Sequence, residues 1–319
     1  MSLMDAHISI ETDSDGERSL LPDGWNWEDK RSSVYAGLGE EETLAAYRRK
    51  IRRLRVLAIA GVLVFLAGAL ASIFWLDSLF WYLLSLAGCI ASAVWYWSRA
   101  SLAFLGLADL VYLDCDPARY RFALERVGGR HGRGEGESLR MLELAYCDYL
   151  EGDAAGALVR LQKVQFKKAS NVLWFRAMQV EAYARMELGD SDGLADTFAR
   201  MHMFVDGMKP ASRQRAVAAD ALAAMELQAV PEAAWGEFEL GRAQDHLARS
   251  ERHIECSSWC IRLAAYGAAH GMVRQARAIL EDGRMEPLAP VHENRRLGLL
   301  TQIETAAHAL DAQRCDCSR

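Results

Sequence analysis

Three residues able to ligate a metal fall on one helical face: His253, Cys256 and Cys260, at spacings of three and four. Thiolates beside an imidazole suit a soft metal, which asks for four ligands in a closed site, and no fourth is identifiable. The same spacing fits two core cysteines beside a surface histidine, and that reading is preferred. Cys89, Cys115, Cys147, Cys315 and Cys317 bring the cysteines to seven. An odd, scattered set in a domain expected on the cytoplasmic side points to reduced thiols. Cys115 and Cys147 fall at helix positions suited to small buried residues. The Gly-rich stretch GGRHGRGEGE from Gly128 could cradle phosphate. It follows no strand and precedes no Gly-Lys-Ser/Thr, so it reads as a flexible connector. No G-x-S-x-G, H-E-x-x-H, kinase set or dinucleotide fingerprint occurs, and the eight histidines are dispersed. The expectation is a protein that is not an enzyme and takes no cofactor or metal. A net charge of −6 and a slightly acidic soluble portion disfavour nucleic acid as a partner.

Two uncharged apolar runs, Val56 to Leu76 and Ser78 to Trp97, are separated only by Asp77. At about 1.5 Å per residue each helix would reach roughly 30 Å, the thickness of a bilayer's hydrocarbon core. The pair predicts a transmembrane helical hairpin, because lipid leaves each segment to satisfy its own backbone. Arg48, Arg49, Lys50, Arg52, Arg53 and Arg55 precede the first run, and Arg99 follows the second. Basic residues next to a span stay in the cytoplasm, which places both termini there, in a multi-pass protein of the cell (inner) membrane. The basic segment, with the hairpin over 48–99, could also bind anionic lipid. Phe74, Trp75, Phe80, Trp81, Tyr82, Trp95, Tyr96 and Trp97 sit where an interfacial aromatic belt belongs. Gly68-x3-Ser72 and Gly88-x3-Ser92 supply small faces, expected to pack the hairpin against itself rather than to form a dimer.

Residues 1–47 hold eleven carboxylates against three cations and few apolar residues before Trp25, so the tail is expected to be disordered. Trp25 and Trp27 are its exception, suited to docking a partner or lying on the membrane. Residues 100–310 carry few prolines and no strand-like alternation, which predicts an all-α domain, with a flexible tail at 311–319.

Within that domain LADLVYLDCD, LAYCDYLEGD and EAYARMELGD recur every 37 residues, each placing Ala eight residues before Asp: Ala108/Asp116, Ala145/Asp153 and Ala182/Asp190. A looser copy surrounds Ala221, and another begins at Leu263. A fixed period of this size marks stacked helical hairpins. Gly152, Gly189 and Gly271 should supply a left-handed turn, Asp153 and Asp190 should cap the next helix, and Asp116-Pro117 should start the second helix of the first copy. This pattern resembles the tetratricopeptide repeat family, strongest over 138–164 and 171–197. The units are longer than the family's usual 34, and the Pro expected at the end of helix B is generally missing. The resemblance implies an α-solenoid whose concave face binds a protein or peptide. Carried over by position, its groove would be lined by Tyr112, Tyr146, Tyr149, Arg176, Gln179, Tyr183, Arg215 and Met225. The expected function is a membrane-anchored scaffold or adaptor. The alternative is a structural subunit of a membrane complex assembled through the hairpin, with an enzyme of unrecognised site a third reading.

Overall fold

The computed structural model describes residues 19–27, 32–76, 79–127, 135–167 and 172–316. Among them every regular element is helical. The chain divides into two compact units, one of residues 33–110 and one of the N-terminal segment together with residues 111–319.

The first unit is a helical hairpin. Helix α1 spans Glu40–Ala71, passes into a π-helical turn over Ser72–Leu76, and packs against α2, Leu79–Leu105. Glu40, Glu41 and Glu42 place negative charge on the first turn of α1, and the Glu42 carboxylate accepts the Gly39 N–H at 3.0 Å, meeting one of the helix's orphan donors. Both helices are long and apolar enough to cross a membrane. Their mutual contact is built from small residues. A Cβ added to Gly61 would stand 2.9 Å from Ser92 Oγ, one on Gly68 3.1 Å from Ser85 Oγ, and one on Gly88 2.3 Å from the Phe65 ring. Removing those carbons lets the backbones approach, the packing mode that serves helices lacking a hydrophobic drive between them. The large apolar residues face outward: Val64 is 68% exposed and Trp97 64%. Asp77 and Ser78, at the expected turn, lie outside the described residues. Helix α2 continues past Trp97 to Leu105 and tightens to a 3-10 turn over Gly106–Ala108 before the short helix α3, Asp109–Tyr112.

The second unit continues with α4 (Pro117–Val127), α5 (Glu135–Leu150), α6 (Ala154–Leu161), α7 (Val172–Leu188) and α8 (Ser191–Asp206). Then follow α9 (Arg213–Ala229), α10 (Glu237–Arg249), α11 (His253–Ala269), α12 (Val273–Leu280) and α13 (Pro290–Asp316). From α4 to α12 successive helices pack together in chain order, and α5 with α7 and α7 with α9 also touch. The turns follow the repeat. Gly152, Gly189 and Gly271 have φ of +92°, +67° and +85°, the left-handed region that glycine enters without a Cβ penalty. Asp153 and Asp190 accept the Gly156 and Gly193 N–H groups at 2.8 and 3.0 Å, each capping the following helix. Asp116 does the same for Arg119 N–H at 2.8 Å, with Pro117 opening α4. Ala145, Ala157, Ala182, Ala264 and Ala276 are fully buried at the helix–helix contacts.

Several expectations are corrected. Residues 19–27, expected to be disordered, are packed into the second unit's core. Leu20 is 1% exposed and Trp27 is buried, in a cluster with Trp235, Leu240, Leu247, Trp259 and Leu263. Gln244 Nε2 donates to the Ser19 and Leu20 carbonyls at 2.9 and 3.1 Å, and Leu20 N–H donates to Gln275 Oε1 at 3.1 Å. Gly267 makes room, since a Cβ there would lie 2.5 Å from Leu20 Cδ1. Composition misjudged this segment because it borrows its core from residues more than 200 positions away. Residues 33–47 are ordered too, with Tyr35, Leu44 and Tyr47 buried. Cys115 is not on a helix; it takes the glycine position of the first repeat turn, with φ of +50°. His253 is buried rather than on the surface, its Nε2 on the carbonyls of Met285 and Pro287 at 2.8 and 3.1 Å, and Cys256 and Cys260 are core residues. Helical backbone extends to Asp316, across part of the expected tail, while Cys317 and most of the Gly-rich connector lie outside the described residues.

Candidate functional site

Five of the eight residues singled out by the repeat pattern come together. Their helices carry them at one helix's spacing per repeat: Tyr112 on α3, Tyr146 and Tyr149 on α5, Arg176 and Tyr183 on α7. The rings run as a ladder, Tyr112 to Tyr146 at 6.1 Å between centroids, Tyr146 to Tyr149 at 6.3 Å, and Tyr149 to Tyr183 at 5.5 Å. Arg176 clamps one end. Its guanidinium donates to Tyr112 Oη at 2.7 Å and lies 4.3 Å from the Tyr146 ring centroid, within cation–π range. Arg252, the residue before α11, lies at the same end, 4.1 Å from the Tyr112 centroid.

This ladder is an interior feature. Tyr146 and Tyr149 are 7% and 4% exposed. Burial raises the pKa of Tyr112 and Tyr146, with Arg176 pulling the other way, and carries that of Tyr183 up to about 12. Burial also raises the Glu143 carboxyl, against the pull of Arg176, and Glu143 accepts the Tyr120 hydroxyl at 3.3 Å. Burial alone would lower Arg176; Tyr112, Tyr146 and Glu143 outweigh it, so the guanidinium keeps its charge. Chemically the arrangement is a row of neutral phenols held by Arg176 and Arg252, and it offers a ligand little surface.

Gln179 joins Arg176 elsewhere. Both line an apolar groove of about 410 Å³ between α7 and α9, with Val172, Phe175, Met208, Val217 and Ala218. Val217 is 63% exposed and Val172 half-exposed, while Arg213 and Gln214 complete a polar rim. Arg215 is not part of the lining; it pairs with Asp206 at 3.4 Å. Met225 is 1% exposed in the core beneath, with Leu222 and Met201, so it cannot meet a partner. Val217, Phe175 and Arg213 were the residues missed. Matching positions to a repeat selects one face of the first helix of each unit, whereas this groove opens between successive first helices.

A second cavity, of about 600 Å³, is bounded by the α7–α8 turn, the end of α9, α11 and α13. Arg262, His292 and Arg295 stand on its wall. Arg262 pairs with Glu232 at 2.5 Å, and Arg295 pairs with Glu187. Nothing in the repeat pattern marks His292 or Arg295, because α13 lies outside it. No group of three or more metal-ligating residues gathers anywhere among the described residues. Compared with protein families, with curated proteins and with solved structures, the chain matches none of them.

Proposed function

We propose that this protein is a membrane-anchored scaffold whose helical-repeat domain, in the manner of a tetratricopeptide solenoid, holds a protein or peptide partner at the cytoplasmic face of the cell membrane. The observation that carries the binding role is the α7–α9 groove: an apolar floor left half-open to solvent at Val172 and Val217, with Arg213, Gln179 and Gln214 at its polar rim. That chemistry fits an amphipathic segment with apolar anchors and acidic flanks. The groove replaces the tyrosine ladder as the contact surface and keeps Arg176 and Gln179 from it.

The topology has its own support. The segment 19–27 and the domain 111–316 form one packed unit, and the two apolar helices lie between them in the chain. A chain that crosses a bilayer twice returns to the side it left, so docking of the tail fits an even number of crossings. The six cations before the first run favour the cytoplasm as that side. Gly68 and Gly88 face the other helix of the hairpin, so a subunit assembled through the spans would use the outward apolar faces instead.

Photo-crosslinkers placed at Val217 and, as an exposed site outside the groove, at Val159 test the reading in native membranes. A partner adduct is expected at 217 and not at 159, weakened at least tenfold by Arg213→Glu. Identical adducts at both positions would reject the groove.

A further inference from the structure

Arg48, Arg49, Lys50, Arg52, Arg53 and Arg55 are all exposed on α1, and none of them forms an ion pair among the described residues. The nearest carboxylates on α1 are those of Glu40, Glu41 and Glu42, six or more positions before Arg48, whereas neighbours on a helix lie three or four apart. The facing helix α2 carries one charged residue from Leu79 to Leu105, and it is another cation, Arg99. Most described arginines of the other unit are ion-paired, Arg121 with Asp148 and Arg185 with Glu181 among them. The cations of α1 therefore repel one another and take their counter-charge from outside the hairpin.

The helix sorts these cations by face. Tyr47 is buried and Ile51 and Leu54 are half-buried, on the side that Ala58 and Gly61 continue against α2. Arg48, Arg52 and Arg55, spaced by four and three, share a different face, Arg49 and Arg53 share the next, and Lys50 stands apart. Deeper along the Arg48 face, at the same spacing, come Ile59, Leu63, Leu66 and Leu70, each about half exposed. The Arg49 face continues through smaller residues, Val56, Ala60 and Ala67. One stripe of α1 thus joins three unpaired guanidiniums to four large, outward apolar side chains.

We propose that this stripe seats an anionic phospholipid, its phosphodiester received by Arg48, Arg52 and Arg55 and an acyl chain laid along Ile59, Leu63, Leu66 and Leu70. Guanidinium forks match phosphate oxygens two at a time, and clusters of cations beside a span draw anionic headgroups. From Ile59 to Leu70 the helix rises about 16 Å, close to half the thickness of a hydrocarbon core and so to the depth of one leaflet. An acidic protein segment would use the charges and leave the apolar half of the stripe without a role. The seat rests on the reading of the hairpin as membrane-spanning, and it is independent of the α7–α9 groove.

Spin-labelled phosphatidylglycerol and phosphatidylcholine, added in turn to the full-length protein in phosphatidylcholine vesicles, test the seat. Electron paramagnetic resonance separates lipid held at the protein surface from bulk lipid, whichever way the hairpin inserts. At low salt phosphatidylglycerol should be held about threefold or more over phosphatidylcholine. Replacing the row, Arg48→Gln with Arg52→Gln and Arg55→Gln, should bring that preference close to parity. Arg49→Gln with Lys50→Gln and Arg53→Gln removes the same charge from the other faces and should keep most of it. Glutamine is a good helix former, so circular dichroism of both variants should match the native protein. Equal loss in the two variants, an unchanged preference in the row variant, or equal retention of both lipids by the native protein would each overturn the seat. Those results would leave the spanning hairpin standing, whereas a failure to hold even phosphatidylcholine would overturn both.

Discussion

The hairpin and the helical domain solve the same packing problem in opposite ways. In the domain, large side chains go inward, Leu20, Trp235 and Trp259 among them, and alanine is spent where two helices must come close. In the hairpin, glycine and serine take the inside, and leucine, valine and tryptophan are turned outward. The domain's arrangement is what water demands, since burying apolar area is its main source of stability. The hairpin's arrangement would be ruinous in water and fits a lipid surround, where an outward leucine costs nothing and contact depends on close approach. The difference teaches that outward-facing apolar residues have two meanings in this chain. On the hairpin they cover both helices; at Val172 and Val217 they form one local groove.

The largest effect expected is on the tail's seat. Trp27→Ala removes a buried ring from the domain's core and should cost about 3–5 kcal/mol. Thermal unfolding of the domain in nanodiscs should drop accordingly, while helicity of the hairpin persists. A midpoint unchanged within a degree would mean that the segment does not dock.

Acid should separate the two regions next. The apolar runs contain no carboxylate, lysine, arginine or histidine among their described residues, so their stability should not follow pH between 7 and 5. His292 in the domain is buried and neutral, its pKa lowered to about 3 by burial, Arg295, Arg262 and His253. The unfolded chain binds that proton near pH 6.5 and the folded one does not, so stability is present at neutral pH and lost as pH falls from about 6.5 toward 3. From pH 7 to 5 the loss should be about 2 kcal/mol. Denaturant melts of the native protein and of His292→Asn, compared at both pH values, check it: the variant should show a flatter dependence.

The smallest effect concerns backbone alone. Gly152 has φ of +92° with open space around it, so Gly152→Ala should destabilise by about 1–2 kcal/mol. Gly241, inside α10 and equally uncrowded, should respond with the opposite sign, Gly241→Ala gaining about 1 kcal/mol. Matching signs in urea titration would contradict the repeat-turn assignment.

What could be read from residues alone was what is local. Each apolar run carries its own helix, and the Gly-Asp pairs at 152–153 and 189–190 carry their own turns and caps, because those conformations are settled within five residues. The seating of Leu20 against Gly267, or the pairing of Arg262 with Glu232 and of Arg295 with Glu187, depends on how α11 and α13 come to rest, and no short pattern encodes it. The tyrosine ladder stood between these cases. Its positions were legible from the period, but its burial was not, because Arg252, which lies against Tyr112, comes from a distant repeat. Cys115 shows the limit at a single residue: its place in the period marks a turn, and its side chain gave no sign of one.

In the proposed topology the chain crosses the membrane twice, with its tail and its helical domain together in the cytoplasm. Labelling of intact cells with an impermeant thiol reagent tests it most directly, using Ser14→Cys, Asp77→Cys and Ser212→Cys over the background of the unchanged protein. Only Asp77→Cys should label before permeabilisation, and the other two should label only after it. Labelling of Ser212→Cys in intact cells would put the domain outside and contradict the account.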